Sequence, residues 1–446
     1  MLARLVDGDG APTMKITVLT HGTRGDVQPF VALALALRPR GHEVTLGVPI
    51  NLVDFVKAAG VRCSPLAMNS QTVMESEQGQ EWLASGNVRA FFKALGDIIT
   101  AGKEELNASS IAACEGAEAI IGNMLMDDIG SAIAEARGVP FIAAYSMPIF
   151  ATGAYPSPFV TTAQIPTRFL RRFSHGLFAS ESWKSRTAWI RDLRAQLGLD
   201  PVDRCFVARA DALGTPVLHM WSEHLLAKAD DWGDQHVLTG SWELPSSARG
   251  SIGEGTAPPG LSEWLSSGPT PFFLGFGSMP IRDPKAMLRM VHEVTDELGV
   301  RAVIGAGWSG LDQADADRAA SVFMVRAVDH SWLFPQCVGV VHHGGAGTTA
   351  AAATAGVPAL VCSVFADQPF WGERVKRLGV GDHVPFRKLD KRRLRDGLAL
   401  LQRPDVRARA AQLGERMRTD DGLAAAVRAV EERLGSPAVK VAQARA

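Results

Sequence analysis

The residues best placed to do chemistry cluster in Val338–Gln368, VGVVHHGGAGTTAAAATAGVPALVCSVFADQ. An apolar run ends in His342-His343, passes through Gly344-Gly345-Ala346-Gly347, and enters an alanine-rich stretch that begins near Thr348-Thr349. Glycines let an anion approach the backbone, and a helix start offers unpaired N–H groups at the positive end of the helix dipole. With hydroxyls and an imidazole alongside, the pattern suits a phosphate or diphosphate. The plainer reading is a tight strand-to-helix turn whose glycines serve packing. A dinucleotide site competes on spacing: Gly345-x-Gly347-x-x-Ala350 fits the loose fingerprint, and Asp367 falls about 20 residues on, after a further strand.

A second set sits near the start, in KITVLTHGTRGDVQP, where His21, Arg24 and Asp26 follow an apolar run. This loop has no GxGxxG and makes a poor diphosphate cradle, but it presents ionisable groups. A base opposite a bound diphosphate suggests group transfer from a nucleotide-activated donor, with Asp26 taking a proton from an acceptor hydroxyl. An ordinary aspartate, with a pKa of about 3.9, is a weak base unless burial raises it, and pairing with Arg24 would lower it. His21 is the rival base, with the better intrinsic pKa. Asp26 as a loop cap or Arg24 partner, and His21 as a hydrogen-bonded structural histidine, are the bland alternatives.

Other candidates carry less. Asp127-Asp128 follows a strand and either orients a base or a substrate or opens an exposed helix. Asp315-Ala-Asp317 and Asp7-Gly-Asp9 spell an acid-x-acid metal signature, but the first lies in a helical pattern, where i and i+2 point apart, and the second lies in the leader. No metal is expected. Between Arg168 and Arg194, basic residues interleave with Phe and Trp; that face is either solvated or touches a membrane or an apolar acceptor.

The elements needed to position these groups are legible as two copies of one plan. In the first half, Ile16–Leu19 is a buried strand, His21–Gln28 a loop, Pro29–Arg38 a helix with Gly41 as its stop, and Glu43–Val48 the next strand. Ala119–Gly122, Phe141–Ala144 and Val217–Met220 follow as strands. The second half restarts with Pro271–Phe276, Gly277-Ser278 and the helix Lys285–Leu298, then the strands Arg301–Ile304, Phe323–Val325, Val338–His342 and Ala359–Ser363. The stretch between the halves is rich in Pro, Gly and Ser and reads as a linker and not a packed element. The fold class is therefore α/β: two doubly wound, Rossmann-like domains facing across a cleft, with ligands at the carboxyl ends of the strands. The expected division is a leader 1–13, a first domain 14–242, a linker 243–270, a second domain 271–430 and a tail 431–446.

Composition is that expected of a soluble cytoplasmic protein. In 446 residues, 46 Lys+Arg balance 47 Asp+Glu, so nothing global attracts nucleic acid or an acidic membrane. Five scattered cysteines without CxxC spacing fit a reducing compartment and argue against a zinc cluster. The leader lacks a signal-peptide core, and Phe30–Leu37 is far short of the ~20 apolar residues needed to span a bilayer.

Taken in order, HGTRGDVQP, GFGSM, HSWLFPQ, HHGGAGTT and FADQPFWGERVKRLGVG resemble the inverting UDP-glycosyltransferase superfamily of GT-B fold. Within it, the chain is most similar to the microbial branch of sterol and antibiotic glycosyltransferases. The likeness runs from about Met14 to Gly381, and IAAYSMPIFATGAYPSPF is similar to the acceptor-side segment of the sterol branch. The resemblance implies an acceptor-binding first domain and a nucleotide-sugar-binding second domain. It favours Asp26 over His21 as general base and sets His343, Gly345, Gly347, Thr348 and Ser278 around the donor diphosphate. It moves Asp367 from a nucleotide ribose to the donor sugar, which Asp367 and Gln368 would hold, and puts Trp308 and Val328 near the nucleoside. The plant signature's Trp and its Glu after the histidine motif are absent here, where the chain reads VRAVDH and TTAAAA. The base, uracil or thymine, is thus left open, while Gln368 points to a glucose-type donor. The implied partners are a nucleotide sugar as co-substrate, with no other cofactor, and an apolar acceptor such as a sterol, macrolide or phenolic polyketide. Met68–Val88 and Ile149–Ser182 are expected to line the acceptor pocket. A nicotinamide-dependent oxidoreductase and a non-catalytic nucleotide-sugar sensor are the competing functions.

Overall fold

In the computed structural model of the chain, residues 13–75, 102–255, 257–277, 283–306 and 321–435 are described. Seven strands, β1 (Lys15–Leu19), β2 (Glu43–Pro49), β3 (Arg62–Leu66), β4 (Ala119–Gly122), β5 (Phe141–Tyr145), β6 (Val217–His219) and β7 (His236–Leu238), form one parallel sheet in the order β3-β2-β1-β4-β5-β6-β7. Six more, β8 (Phe272–Gly275), β9 (Ala302–Gly305), β10 (Val322–Val325), β11 (Gly339–His342), β12 (Ala359–Val361) and β13 (Gly381–His383), form a second in the order β10-β9-β8-β11-β12-β13. Continuous apolar runs such as AIIG of β4 are buried along their whole length, because helices cover both faces of each sheet.

In both sheets the strand order reverses beside the first strand of the half, between β1 and β4 and between β8 and β11. Crevices at such switch points open at the carboxyl ends of the strands. The His21 and His343 loops leave from β1 and β11, so each candidate cluster sits in its lobe's crevice.

Four features depart from the sequence reading. The first helix begins at Arg24, not Pro29, and carries Pro29 inside it. A proline disfavours helix in the residue before it, which argues for a later start. Here Thr23 and Asp26 nucleate the turn first: Asp26 Oδ2 accepts from the Thr23 N–H at 2.7 Å and from its hydroxyl at 3.1 Å, the reciprocal arm of a capping box. Asp26 thus lies in a first helical turn and not in a loop.

The connector is packed. It forms helices Ser246–Ser251 and Leu261–Ser266, buries Leu244, Ala248 and Leu261, and sends Arg249 to Asp329 at 3.1 Å. Finally, the closing helix Gly422–Gly435 returns to the first lobe. Its Ala426, Val427 and Val430 join the core that holds Phe30, Val31 and Leu37, and Glu431 pairs with Arg40. The short strands β3, β7 and β13 escaped the sequence reading because RCSPL, HVL and GDH carry too little apolar pattern.

Candidate active site

On the first lobe the site is built on the turn from β1 into the helix Arg24–Leu37. Gly22, at φ +125°, makes the turn, and a Cβ there would collide with the Asp26 carboxyl. Burial raises the Asp26 pKa, and the two Thr23 hydrogen bonds oppose that rise. Arg24 does not pair with Asp26. Its guanidinium reaches Glu254 of the connector at 2.5 Å and Gln28 at 3.1 Å, and lies over the Phe55 ring. His21 is buried, its Nε2 has no hydrogen-bond partner among the described residues, and burial pushes it down to about 4. Burial therefore erases the basicity advantage that the histidine holds in water, raising the acid and lowering the imidazole.

A residue missed by sequence reasoning holds this turn. Asn123, at the end of β4, donates from Nδ2 to the Thr20 hydroxyl at 3.1 Å and to the His21 carbonyl at 2.8 Å, and its Oδ1 accepts from Leu125 N–H at 3.2 Å. Thr20 in turn donates to the Asp26 carbonyl at 3.1 Å. The available signal was an asparagine directly after four fully buried apolar residues, where an amide persists only if satisfied. Asn123→Ala should lower kcat roughly 10- to 100-fold, the order expected of a misplaced reacting group. It should also cost about 1–3 kcal/mol of stability through the unsatisfied partners; kinetics and thermal melting read the two effects separately, and unchanged kcat would remove Asn123 from the site.

Asp127 and Asp128 do not orient the base. They form a buried ion cluster in which Asp127 accepts from Tyr145 Oη at 2.7 Å and Arg186 stands 3.6 Å from Asp127 and 3.4 Å from Asp128. Burial and the adjacent Asp128 push Asp127 up to about 7. The cluster fastens the helix starting at Asp127 to the strands and to Arg186.

On the second lobe, helix Ala346–Ala355 starts at Gly345 with no side-chain cap, so its first N–H groups are left for a ligand. A Cβ on Gly345 would lie 2.5 Å from His343 Nε2, so only glycine lets the imidazole lie over the helix start; a Cβ on Gly347 would meet nothing within 4 Å, which leaves that side open. His343 also stands beside Gly277, at the end of β8; its Nδ1 has no hydrogen-bond partner among the described residues, and burial pushes it down to about 4. Thr348 occupies the third helical position. Val328 is buried among the core residues of the second lobe. Ser278 and Trp308 lie outside the described residues, as do Asp7, Asp9, Asp315 and Asp317.

The loop after β12 completes the site. Ala366, at φ +55°, is the one non-glycine residue with positive φ among the described residues, and it immediately precedes Asp367. Strain of this kind persists where the surroundings over-determine the backbone. Asp367 accepts from Trp371 Nε1 at 2.8 Å; Gln368 Oε1 accepts from the N–H groups of Val364 at 2.8 Å and Phe365 at 3.2 Å. Burial pushes Asp367 up to about 7; the Trp371 hydrogen bond opposes this, and the Asp26 charge across the gap adds to it. The two lobes therefore bring Asp26 and Asp367 within electrostatic reach. Among the described residues, no cluster of three or more His, Cys, Asp or Glu side chains is arranged to hold a metal ion.

Two doubly wound lobes with facing carboxyl ends, one offering a carboxylate and the other an uncapped helix start with an imidazole, define a GT-B group-transfer architecture. Known proteins agree. The model of the glycosyltransferase family 28 N-terminal domain matches residues 16–156, and that of the erythromycin biosynthesis protein CIII-like C-terminal domain matches residues 314–432. Sterol 3-beta-glucosyltransferase UGT80A2 of Arabidopsis thaliana is 35% identical over 443 residues, covering 97% of this chain and 67% of that protein. An uncharacterized glycosyltransferase of Mycobacterium tuberculosis is 32% identical, covering 91% of this chain and 95% of its own. The calicheamicin glycosyltransferase CalG4 superposes with a TM-score of 0.68 at 17% identity, covering 95% of this chain and 99% of its own. The chain belongs to the GT-B glycosyltransferases, and the oxidoreductase reading of the Gly345 loop falls with that assignment.

Proposed function

We propose that the protein is an inverting, metal-independent glycosyltransferase that moves a hexose, glucose by preference, from a UDP donor to a hydroxyl of an apolar acceptor of the sterol, macrolide or phenolic polyketide class. The observation that carries this reading is the pairing of groups across the cleft: Asp26, raised by burial and free of Arg24, within electrostatic reach of Asp367, which the Trp371 indole holds and whose neighbour Gln368 packs against Gly344 of the His343 loop. The acceptor oxygen attacks the anomeric carbon and its proton passes to Asp26. The bond from that carbon to the diphosphate oxygen breaks, and the diphosphate leaves with the electron pair. The N–H groups at the helix start, Thr348 and His343, with Ser278, meet its growing charge. Asp367 and Gln368 hold the sugar hydroxyls. No metal is required by this arrangement, because fixed dipoles at the leaving group supply the electrostatic stabilisation.

The sterol part of the reading is supported by the name of the Arabidopsis relative and by a first-lobe segment rich in aromatic side chains, where Tyr155 meets Phe370 of the second lobe at 6.0 Å between ring centroids. A mass-spectrometric screen of UDP-glucose, UDP-galactose and TDP-sugars against sterol, macrolide and flavonoid alcohols should give a hexosylated product, with UDP-glucose the best donor and turnover insensitive to EDTA. Donor binding without transfer to any alcohol would favour the non-catalytic sensor.

A further inference from the structure

Helix Gln368–Arg377 begins directly after Asp367, and one face of it lies against the first lobe. Phe370 meets Tyr155 at 6.0 Å and Trp371 meets Trp221 at 6.1 Å between ring centroids. Further along, Arg374 Nε donates to the Leu225 carbonyl at 2.5 Å and Arg377 Nη2 to the Thr162 carbonyl at 2.7 Å. These four residues recur at the spacing of a single helical face. The seam between the lobes therefore runs along the element that opens at the sugar-holding pair of the proposed function.

Trp371 belongs to the seam and to the site at once. Its indole N–H donates to Asp367 Oδ2 at 2.8 Å, while its ring packs on Trp221, and both indoles are buried. Trp221 is fixed in turn by its own lobe. It follows β6, donates from Nε1 to the Leu226 carbonyl at 3.1 Å, and lies 4.5 Å from the His219 ring. His219 stacks on Trp232 at 4.5 Å, and its Nε2 stands 2.9 Å from His236 Nδ1, whose Nε2 stands 2.8 Å from Asp211. The turn that carries Trp221 is also the one whose Leu225 carbonyl takes Arg374. Ring contacts and hydrogen bonds thus run without a break from the exposed Asp211 of the first lobe to Asp367 of the second.

We propose that Trp221 and Trp371 are positioning residues for the donor sugar: the first-lobe indole seats Trp371, and Trp371 aims the Asp367 carboxylate, so that the sugar end of the donor site is complete only while the lobes are packed together. This rests on the reading of Asp367 as a sugar ligand. The diphosphate end has no such dependence, because the His343 loop and the Gly345 helix start both belong to the second lobe. Loosening the seam should therefore cost the glucosyl group of a donor its hold and spare the UDP portion, a split that general destabilisation does not produce.

The test is calorimetric titration of the full chain with UDP and with UDP-glucose. Trp371→Phe keeps a ring and removes the N–H. It should weaken UDP-glucose about tenfold, the scale of a lost hydrogen bond to a charged group, and leave UDP unchanged. Trp221→Leu should weaken UDP-glucose about 2- to 10-fold, the worth of one aromatic pair, and Trp221→Phe, which keeps an aromatic face, should restore most of that loss. Arg374→Met opens the same seam while keeping an aliphatic stem, and should act in the same direction even where Trp221→Leu fails to fold. Because the two indoles act in series, W221L/W371F should be no worse than Trp371→Phe alone. Wild-type affinity for UDP-glucose in both Trp221→Leu and Arg374→Met overturns the proposal, as does equal weakening of UDP and UDP-glucose, or full additivity in the double variant. Asp367→Asn separates the seam from the reading beneath it. If that variant binds UDP-glucose as wild type does, Asp367 leaves the sugar and the proposal goes with it. A loss there with none in the seam variants keeps the sugar reading and sinks the seam alone.

Discussion

Asp26→Asn should reduce kcat by about 10²- to 10⁴-fold, the usual contribution of a positioned general base, which corresponds to roughly 3–5 kcal/mol of barrier. The substitution is close to isosteric, and the amide oxygen still accepts from Thr23, so the helix start that the carboxylate caps at 2.7 Å is preserved. UDP binding should survive, because the groups proposed to hold the diphosphate belong to the other lobe. Stability separates this loss from misfolding. Burial raises the Asp26 pKa in the folded protein. The folded state therefore holds the proton more tightly than the unfolded chain, and ionisation of Asp26 destabilises the fold at neutral pH. The variant should melt no lower than wild type at pH 7, with the difference vanishing as pH falls below the ordinary carboxylate range. In wild type, kcat/KM should climb with pH along a limb displaced above that range, and the residual activity of the variant should lack the limb. Full turnover in the Asn variant would transfer the role to His21, whose depressed basicity makes it the poorer base here.

How much of this was visible beforehand follows from the range of the interactions involved. The His343 loop was legible because its constraints are local: glycines beside an imidazole, then a run of alanines, prescribe a strand, an open turn and a helix start without help from elsewhere. Asp26 was legible as a residue but not as a helical one, since Pro29 advertises a start that the Thr23–Asp26 cap anticipates by a full turn. The connector looked like a linker because its order comes from partners distant in sequence. Glu254 takes up Arg24 and Arg249 takes up Asp329, pairs that no local composition announces. The same holds for the closing helix, whose core partners Phe30 and Val31 lie almost the whole chain away. Asn123 was hidden for the converse reason: a single amide has no period, and only the folded turn shows what it satisfies. The Glu254 pair bears directly on the proposed chemistry, for it engages the Arg24 guanidinium two residues from Asp26, the proposed base.

Removing the imidazole of His343 should be the next most damaging change, with His343→Ala lowering kcat by about 10²- to 10³-fold, or ~2.7–4 kcal/mol, as for loss of one preorganised donor to a developing anion. The mechanism is open to a geometric check that avoids deleting the ring. Because a Cβ on Gly345 would stand 2.5 Å from His343 Nε2, Gly345→Ala should displace the ring from the helix start and reproduce much of the same loss. The two changes act on one interaction, so the double variant should be little worse than either alone; fully additive losses would mean that glycine and histidine serve separate purposes. Protonation offers a second readout. Burial keeps His343 at about 4 in the free protein, so at neutral pH it meets the donor as an uncharged imidazole. A diphosphate beside it favours the charged form and raises that value, so binding must take up protons as pH falls. UDP-glucose, whose diphosphate does not ionise near neutrality, should therefore bind wild type more tightly toward pH 5 than at pH 8. In His343→Gln, which keeps a neutral donor but cannot titrate, the histidine's share of that dependence should vanish while that of Asp367, which burial pushes up to about 7, persists, and calorimetry in buffers of different ionisation heat compares the proton uptake of the two proteins directly. Equal pH dependence in both proteins would take His343 away from the diphosphate and leave the helix start to hold it alone.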